Sequence, residues 1–483
     1  MPGRSPGVPG VAARRSAGAR CRARRHPSRR GAAHRRRRRP HRRHRGAAPA
    51  HRGLGALPAR PRRGRGPRLD RGLRAPPARA ARSLPRRPSA PGRHRRRGVS
   101  RADLPATAEC VIIGGGVVGC SLAYHLGRGG VRPLLLERGE LGGGSTGRCA
   151  GGVRQQFSTA VNVRVSRLSR AMLERFPEEI GVSAELRQIG YLFLASTEDE
   201  AAQFARNVEV QHGAGLHEVE LLDVAGALAL VPELRADDLV AATWCPTDGL
   251  AGPNEVTLGY AAAARRSGAT VLEDIEVVGI DLEGGAVAAV RTARGRVATP
   301  MVVDCAGPHA AQVGRLAGIE VPVTPFRRHI FLTETFSLSR PVPMTVDFHT
   351  SFYFHPEGDG LLLGMSDPDE PASFDTSVAW DFLEHLIEHA TWRLPALERS
   401  RIRTGWAGLY EMSPDHQGIV GEAPGRPGLW LCCGFSGHGF MQAPAIGHLL
   451  AERLLGREPE IDLAPYAPER FAHGQGEPEV AVI

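Results

Sequence analysis

The segment from Cys110 to Arg138 constrains the fold more than any other part of this 483-residue chain. Its pattern predicts a β-strand, a glycine-rich turn, a helix and a second strand that ends at Glu137. In such a motif the first glycine allows the tight turn, the second lets the backbone approach a pyrophosphate, and the third lets helix and strand pack closely. The glycines of the turn are Gly114, Gly115, Gly116 and Gly119.

The position of Glu137 makes this glycine pattern more specific. A carboxylate at the end of the second strand can bind the ribose hydroxyls of an adenosine, and the helix N-terminus offers unpaired N–H groups to a pyrophosphate. A glycine-rich loop in an ordinary α/β unit would leave the acid without a role. The sequence therefore predicts a βαβ unit that binds a dinucleotide.

The formal net charge of +13 hides two parts of opposite sign. Residues 1–100 contain many arginines and a single acid, Asp70, whereas the remainder is net acidic. We therefore expect no nucleic-acid partner for the folded part. Residues 1–105, rich in Arg and Pro, are predicted to be disordered because they have too few apolar residues for a core. Two explanations of this segment are open. It is either a polybasic arm for nucleic acid or membrane or, as we favour, the product of an upstream start in a G+C-rich gene, with the protein beginning near Val99.

The rest of the chain is long enough for two intertwined domains. It has no apolar run of 18 residues, so no membrane span is expected. The cysteines are scattered without metal-ligand spacing, which predicts no metal site and the reduced, buried thiols of a cytoplasmic protein.

The order of the predicted elements places the βαβ unit first and a β-rich insert in the middle. The chain then returns to the first domain through a strand at Leu429–Cys433, a glycine-rich loop and a helix to about Leu455. Period-two alternation over residues 321–370 predicts an antiparallel sheet. Helices are predicted at about 161–179, 197–213, 221–231, 254–267 and 377–391.

Several stretches together resemble one family. They are the strand and turn at Val111–Gly119 with the following acid, the CAG turn at 305–307, and GFSGHGF at 434–440. This pattern resembles the D-amino-acid oxidase/sarcosine oxidase family of FAD-dependent oxidoreductases, and within it the sarcosine-oxidase-beta-like and L-proline dehydrogenase beta subunits. The likeness covers about residues 108–470.

The resemblance implies an α/β fold in which a Rossmann-like FAD-binding domain is interleaved with an antiparallel-sheet substrate domain. The FAD-binding parts would be about 108–190, 250–315 and 405–460, and the substrate-domain parts about 190–250 and 316–404. The implied activity is oxidation of the C–N bond of an amino or N-methylamino acid.

The resemblance also implies roles for single residues. The fingerprint glycines and Glu137, with Arg138, would hold the ADP half of FAD. The other implied cofactor residues are Ser145 and Thr146 near the pyrophosphate and ribityl chain, Val277 at the adenine, Gly307 beneath the cofactor, and Gly437, His438, Gly439, Phe440 and Met441 at the pyrimidine edge.

Three residues are the candidates for the catalytic group. Arg154 aligns with an arginine that pairs with the substrate carboxylate, and Arg148 would enter the flavin face. His438 is either a base or, as the reading we favour, a loop histidine that hydrogen-bonds the cofactor. Tyr191 and Tyr353 either line the substrate pocket or belong to the core.

Three departures from the family pattern refine the expected function. Gly408 stands where a cysteine tethers the flavin in monomeric sarcosine oxidases, so FAD is expected to be non-covalent. Met441 and Leu362 stand where those oxidases carry lysines for carboxylate binding and oxygen activation, and this chain has no lysine. We therefore expect a dehydrogenase that passes electrons to an acceptor or partner subunit. The alternatives are a glycine- or sarcosine-type oxidase that produces peroxide, and a non-catalytic FAD-binding subunit.

Overall fold

The computed structural model describes residues 104–474 and 476–481. The expectations for residues 1–105 therefore lie outside the described residues, apart from the last two positions. The helices are α1 (Val117–Arg128), α2 (Ala160–Glu174), α3 (Phe176–Ile180), α4 (Glu198–Gly213), α5 (Val224–Leu230), α6 (Pro253–Arg266), α7 (Ala310–Leu316), α8 (Trp380–Arg393), α9 (Gly439–Leu454) and α10 (Arg470–His473).

The strands of the described residues run from β1 to β19 in chain order. They are β1 (Val111–Ile113), β2 (Leu134–Leu136), β3 (Gly152–Val153), β4 (Tyr191–Ala195), β5 (Glu220–Leu222), β6 (Ala241–Cys245), β7 (Gly249–Leu250), β8 (Thr270–Leu272), β9 (Val277–Glu283), β10 (Ala286–Thr292), β11 (Gly295–Ala298), β12 (Val302–Asp304), β13 (Thr324–Thr333), β14 (Met344–Asp347), β15 (Tyr353–Glu357), β16 (Gly360–Met365), β17 (Ile402–Met412), β18 (Ile419–Glu422) and β19 (Leu429–Cys433).

The first sheet has the strand order β18-β19-β12-β1-β2-β8, and all its pairs are parallel except that of the edge strand β18. Both of its faces are covered, which explains the unbroken apolar runs of its central strands. Ile112 belongs to the core formed with α1, α6 and α9. Val111 and Ile113 belong to the opposite core, formed with α7 and with the small sheet of β9, β10 and β11. This is the predicted nucleotide-binding sheet.

The second sheet has eight strands in the order β17-β13-β16-β15-β14-β4-β6-β5. The strands within residues 321–370 pair antiparallel, as predicted, and the one parallel pair among the described strands of the sheet joins β14 to the distant strand β4. These two strands come from distant parts of the chain, and no hairpin fixes their relative direction. One face of the sheet packs against α5 and α8, and the other carries Tyr191, Ile330 and Tyr353.

Two predicted helices are each divided in the structure. The helix predicted at 221–231 is a short strand, β5, followed by α5, because the side chain of Asp223 caps α5 by accepting a hydrogen bond from Gly226 N at 2.8 Å. The helix predicted at 161–179 is α2 and then α3. Pro177 lies in the first turn of α3, where a proline is tolerated, and it could not continue the hydrogen bonds of α2.

Strand β17 lies at one edge of the eight-stranded sheet. It pairs with β13 along its length, from Met412 opposite Thr324 to Ile402 opposite Thr333. The residues around 405, which the resemblance assigned to the FAD-binding part, therefore lie in the eight-stranded sheet. Within the described residues, none of the helices is both long and apolar enough to cross a membrane.

Candidate active site

A cavity of about 900 Å³ lies between the carboxyl ends of the parallel strands and the eight-stranded sheet. Its volume is near the upper end of the range of about 300–1,000 Å³ that is common for ligand pockets. Most of the residues singled out from the sequence line it. These are Gly114, Gly116, Glu137, Arg138, Ser145, Thr146, Arg148, Arg154, Val277, Gly307, Gly437, Gly439, Phe440 and Met441.

The glycines of the turn after β1 have different physical reasons for lacking a side chain. Gly114 has a φ of +111°, and a Cβ there would lie 2.4 Å from the carbonyl oxygen of Cys305. A Cβ on Gly119 would lie 2.1 Å from the carbonyl oxygen of Gly114. Around Gly116 only the Thr146 hydroxyl is near, at 3.3 Å, and this glycine faces the cavity. Packing thus excludes side chains at two positions, whereas Gly116 leaves room for a ligand.

The N-terminus of α1 opens into this cavity. Its N-cap is Gly116, which provides no side-chain cap, and the Val117 N–H donates to Thr146 Oγ1 at 3.2 Å. A helix N-terminus of this kind attracts an anion through its N–H groups and its dipole. The arrangement therefore fits the pyrophosphate of a dinucleotide.

Glu137 ties this end of the cavity together. Its carboxylate accepts hydrogen bonds from Gly115 N at 2.7 Å and from Gly139 N at 2.8 Å. Next to it, Arg138 Nη2 lies 2.7 Å from His309 Nε2. Gly115 itself does not line the cavity, and its contribution is this backbone hydrogen bond.

The middle of the cavity is bounded by the segment at 145–148 and by β17. Ser145 Oγ donates to the Leu409 carbonyl at 2.7 Å, and Trp406 Nε1 donates to the Arg148 carbonyl at 3.0 Å. A Cβ on Gly408 would lie 3.0 Å from Arg148 Cβ. Position 408 therefore has no cysteine that could tether a flavin, and any side chain there would crowd Arg148.

The N-terminus of α9 closes the far end of the cavity. Gly437, Gly439, Phe440 and Met441 face it, but His438 does not. The His438 ring is buried, with Nε2 3.0 Å from the His416 carbonyl oxygen and Nδ1 3.3 Å from Gln442 Oε1. Burial lowers the pKa of His438 to about 4. A neutral ring that contacts protein atoms through both nitrogens fits an anchor of the loop better than a base.

Two guanidinium groups, those of Arg154 and Arg328, line the cavity beside the eight-stranded sheet, together with Tyr191, Tyr353 and Tyr410. Arg154 donates to the carbonyl oxygens of Gln156 and Ala481, and it lies over the ring of Phe157 at 4.0 Å. Arg328 lies over the ring of Tyr410 at 5.3 Å. Burial lowers the pKa of both arginines. Leu362 is buried in the same face of the sheet but does not line the cavity.

Two acids near the cofactor end, the partly buried Glu411 and the fully buried Asp304, were missed by the sequence analysis. Glu411 lines the cavity and accepts a hydrogen bond from Gly434 N at 3.1 Å, and burial raises its pKa to about 7. Asp304 ends β12 beside it, and burial raises its pKa to about 8. Neither acid belongs to a spacing pattern. Their only sequence signal is that each acid directly follows apolar or aromatic residues, Val302 and Val303 before Asp304 and Leu409 and Tyr410 before Glu411.

The segment at 476–481 was also missed. The carboxylate of Glu479 is buried and accepts hydrogen bonds from the side chains of Ser158, Thr159 and Asn162. Two residues further along, the Ala481 carbonyl accepts a hydrogen bond from Arg154 Nη2. The segment therefore fixes the position of Arg154 from outside the two sheets.

A helix N-terminus at each end of one elongated cavity is the geometry of a protein that encloses an extended dinucleotide. A comparison with known families identifies the family to which this protein belongs. Residues 109–453 match the family described as FAD dependent oxidoreductase, and the chain belongs to that family. FAD is accordingly its cofactor, and the two helix N-termini and the open space at Gly116 fit it.

Individual relatives agree with this family. The chain is 34% identical to the mitochondrial sarcosine dehydrogenase of Mus musculus, over 77% of this chain and 42% of the relative. It is 30% identical to the glycine oxidase of Geobacillus kaustophilus (strain HTA426), over 75% of this chain and 97% of that protein. The chain thus spans less than half the length of the sarcosine dehydrogenase. Among solved structures, the L-proline dehydrogenase from P. horikoshii superposes with a TM-score of 0.73 and 34% identity, over 77% of this chain and all of that one.

Proposed function

We propose that this protein is an FAD-dependent dehydrogenase that oxidises the C–N bond of an amino or N-methylamino acid, with proline or sarcosine as the model substrates. The observation that carries the proposal is the continuity of the cavity. It runs from the glycine turn at Gly114 to a wall that carries Arg154 and Arg328. A small acid bound at that wall would lie next to the reactive end of the cofactor.

Each part of the cavity has a task in this reaction. When bound, FAD supplies the chemistry by accepting a hydride from the substrate carbon. The arginines offer positive charge to a carboxylate. The N–H groups at the start of α9, from Gly439 onward, would hold the flavin and stabilise negative charge on it, and such preorganised donors are a large source of catalysis. The buried tyrosine rings exclude water.

The dehydrogenase assignment rests on the cations that the chain provides. It has no lysine, and the position of the oxygen-activating lysine of the resembled oxidases is occupied by Leu362, which is 3% exposed. The second candidate, a peroxide-producing oxidase, is favoured by the relation to a glycine oxidase. A non-catalytic FAD-binding subunit would have no need for the Arg154 and Arg328 side chains at the cavity wall, and we therefore place it last.

Several finer assignments belong to this proposal. The division into FAD-binding and substrate-domain parts is proposed from the resemblance, with the boundary near 405 moved to the end of β17. That electrons pass to an acceptor or to a partner subunit is proposed from the resemblance. The chain covers only 42% of the sarcosine dehydrogenase, so the relatives do not establish this for it. A cytoplasmic location stays a prediction from the unpaired cysteines of the described residues.

Anaerobic bleaching of the flavin tests the proposal. The purified holoprotein is mixed without oxygen with L-proline, sarcosine, N,N-dimethylglycine, glycine and matched amines that lack the carboxylate. We expect at least one amino acid to bleach the flavin absorbance, while the corresponding amine does not. No bleaching by any compound would contradict the catalytic assignment. Fast recolouring in air with peroxide release would instead support the oxidase.

A further inference from the structure

We propose that Arg328, rather than Arg154, binds the carboxylate of the substrate, through the edge of its guanidinium that carries Nε and Nη2. This inference deepens the proposed function and rests on it, because it names the group that selects acids over amines. The family resemblance assigned this task to Arg154. The hydrogen bonds of the two side chains point to the other arginine.

Arg154 already uses its two terminal nitrogens within the protein. Nη1 donates to the Gln156 carbonyl at 2.7 Å, and Nη2 donates to the Ala481 carbonyl. One face of the guanidinium is covered by the ring of Phe157. Two of the five N–H groups of Arg154 are thereby engaged by backbone carbonyls, whereas Arg328 engages only one. The contacts of Arg154 therefore suit a residue that fixes the wall of the cavity.

Arg328 has the complementary pattern. Its Nη1 donates to the Arg327 carbonyl at 2.9 Å. Its Nε is buried and has no hydrogen-bond partner in the described structure. No hydrogen bond of Nη2 to a described residue is found either. Nε and Nη2 lie on one edge of the guanidinium, and their parallel N–H groups match the two oxygens of a carboxylate. A buried donor without a partner calls for an explanation such as a ligand that supplies the acceptor.

The neighbouring arginine, Arg327, shows that acids are available close to this strand. Arg327, on the same strand, contacts Glu370 at 3.0 Å through Nε and Asp375 at 2.6 Å through Nη1. Arg328 has no salt bridge with any described residue. One arginine is thus paired twice, whereas the adjacent one is a partly buried cation without a protein anion. Such a cation favours an anion that arrives from the cavity.

The strand register places Arg328 on the side of the eight-stranded sheet that faces the cavity. Arg328 lies opposite Gly408 in the pair β13–β17, so both residues face the same side of the sheet. Position 408 itself carries no side chain, and the nearest atom to a Cβ there would be Arg148 Cβ, at 3.0 Å. Tyr353 and Tyr410 line the cavity beside it, and the Tyr410 ring supports the cation at 5.3 Å. A small carboxylate would thus be held against an aromatic wall.

The test uses the oxidised holoprotein and a carboxylate that cannot be oxidised, L-tetrahydrofuran-2-carboxylate, which has oxygen in place of the proline nitrogen. Its binding is followed through the change in the flavin absorption spectrum. We expect Arg328→Gln to raise the dissociation constant about 100-fold or more, as is typical for loss of a buried charged hydrogen-bonded pair. Arg328→Lys keeps the charge but lacks the two parallel N–H groups, so its dissociation constant should lie between those of the wild type and Arg328→Gln.

Matched variants decide between the arginines. Arg296→Gln removes the same charge from an exposed hairpin and should bind like the wild type. Arg154→Gln should weaken binding less than Arg328→Gln does. A larger loss in Arg154→Gln, or no loss in either Arg328 variant, overturns the inference, as does a wild-type spectrum that does not respond to the carboxylate. If Arg328→Gln fails to retain flavin, Arg328→Lys decides by the same criterion.

The same titration separates this inference from the proposed function. If no amino acid bleaches the flavin but the carboxylate binds in an Arg328-dependent way, the dehydrogenase assignment fails and the carboxylate site stands. If amino acids bleach the flavin and Arg328→Gln retains the preference of the wild type for L-proline over pyrrolidine, the function stands and the assignment of Arg328 is wrong.

Discussion

The buried carboxyl of Asp304 should make the protein lose stability as the pH rises through neutrality. The side chain is fully buried, and only one of its oxygens has a hydrogen-bond partner, the Ala306 N–H at 2.9 Å. Burial is the largest cause that raises its pKa to about 8, and nearby Glu411 adds to it. In an unfolded chain the same group has a pKa of about 3.9. The folded state therefore keeps a proton that the unfolded state releases.

The sign and size follow from this difference in proton binding. Between about pH 4 and pH 8 the folded state binds one more proton, so each pH unit costs about 1.4 kcal/mol of stability. Near pH 8 the slope fades because the folded group titrates as well. From pH 6 to pH 8 the expected loss is about 2 kcal/mol. Asp304→Asn removes the titration, and the variant should gain this amount relative to the wild type over that interval.

Urea unfolding of both proteins at pH 5, 6, 7 and 8 measures the effect as a difference, in which the titration of all other groups largely cancels. The offset between the two proteins is not predicted, because an asparagine has its own hydrogen-bonding needs at this site; the slope with pH is. Asp281→Asn is the control, because hydrogen bonds from Arg296 and Arg291 lower the pKa of Asp281. The difference in unfolding free energy between this variant and the wild type should therefore not change with pH above pH 6. A flat difference for Asp304→Asn would mean that the carboxylate is ionised in the folded protein, and the reasoning would be refuted.

Four further outcomes are expected. Gly116→Val should give folded protein without flavin because it fills the space at the α1 N-terminus, whereas Gly119→Ala, with a Cβ 2.1 Å from a carbonyl oxygen, should lower the yield of soluble protein itself; flavin absorbance per mole of soluble protein separates the two. Acid precipitation should leave FAD in the supernatant because Gly408 cannot tether it, and flavin in the pellet would show another covalent link. With substrate, reduction of an acceptor dye should greatly exceed peroxide formation, since the chain supplies no ammonium group. Leu362→Lys should speed reoxidation of the reduced flavin in stopped-flow measurements, and an unchanged rate would place this position too far from the ring.

The parts of the site that the sequence could predict are those whose geometry is local. The turn at Gly114 and the loop before Phe440 follow from glycine spacing next to a strand and a helix, and the described structure has both at the cavity. The parallel pairing of β14 with β4 leaves no such trace, because it depends on strands that are far apart in the chain. Nor does the separation of α2 from α3 show in apolar periodicity, which continues across Pro177.

The buried charges were hidden for a similar reason. Whether Asp304 or Glu411 is solvated depends on which strands cover it, and the same dipeptides occur on surfaces. Glu479 lies in a polar stretch that is typical of an exposed tail, yet its carboxylate is satisfied by side chains near Ser158. The free edge of Arg328 depends on a strand register that places it opposite Gly408. Each of these features depends on contacts between segments that are far apart in the chain.

Strand β17 has a consequence for how the protein is made. A chain leaving the ribosome completes the glycine turn at 114–119 early, and domains generally form from the N-terminus during synthesis. The opposite wall of the cavity, with Gly408, Tyr410 and the start of α9, is synthesised late. A shift of β17 by one residue against β13 would also turn its side chains to the wrong face. The cavity can therefore be enclosed only after β17 and the start of α9 have been synthesised, so flavin retention in truncated chains would report whether this wall has formed.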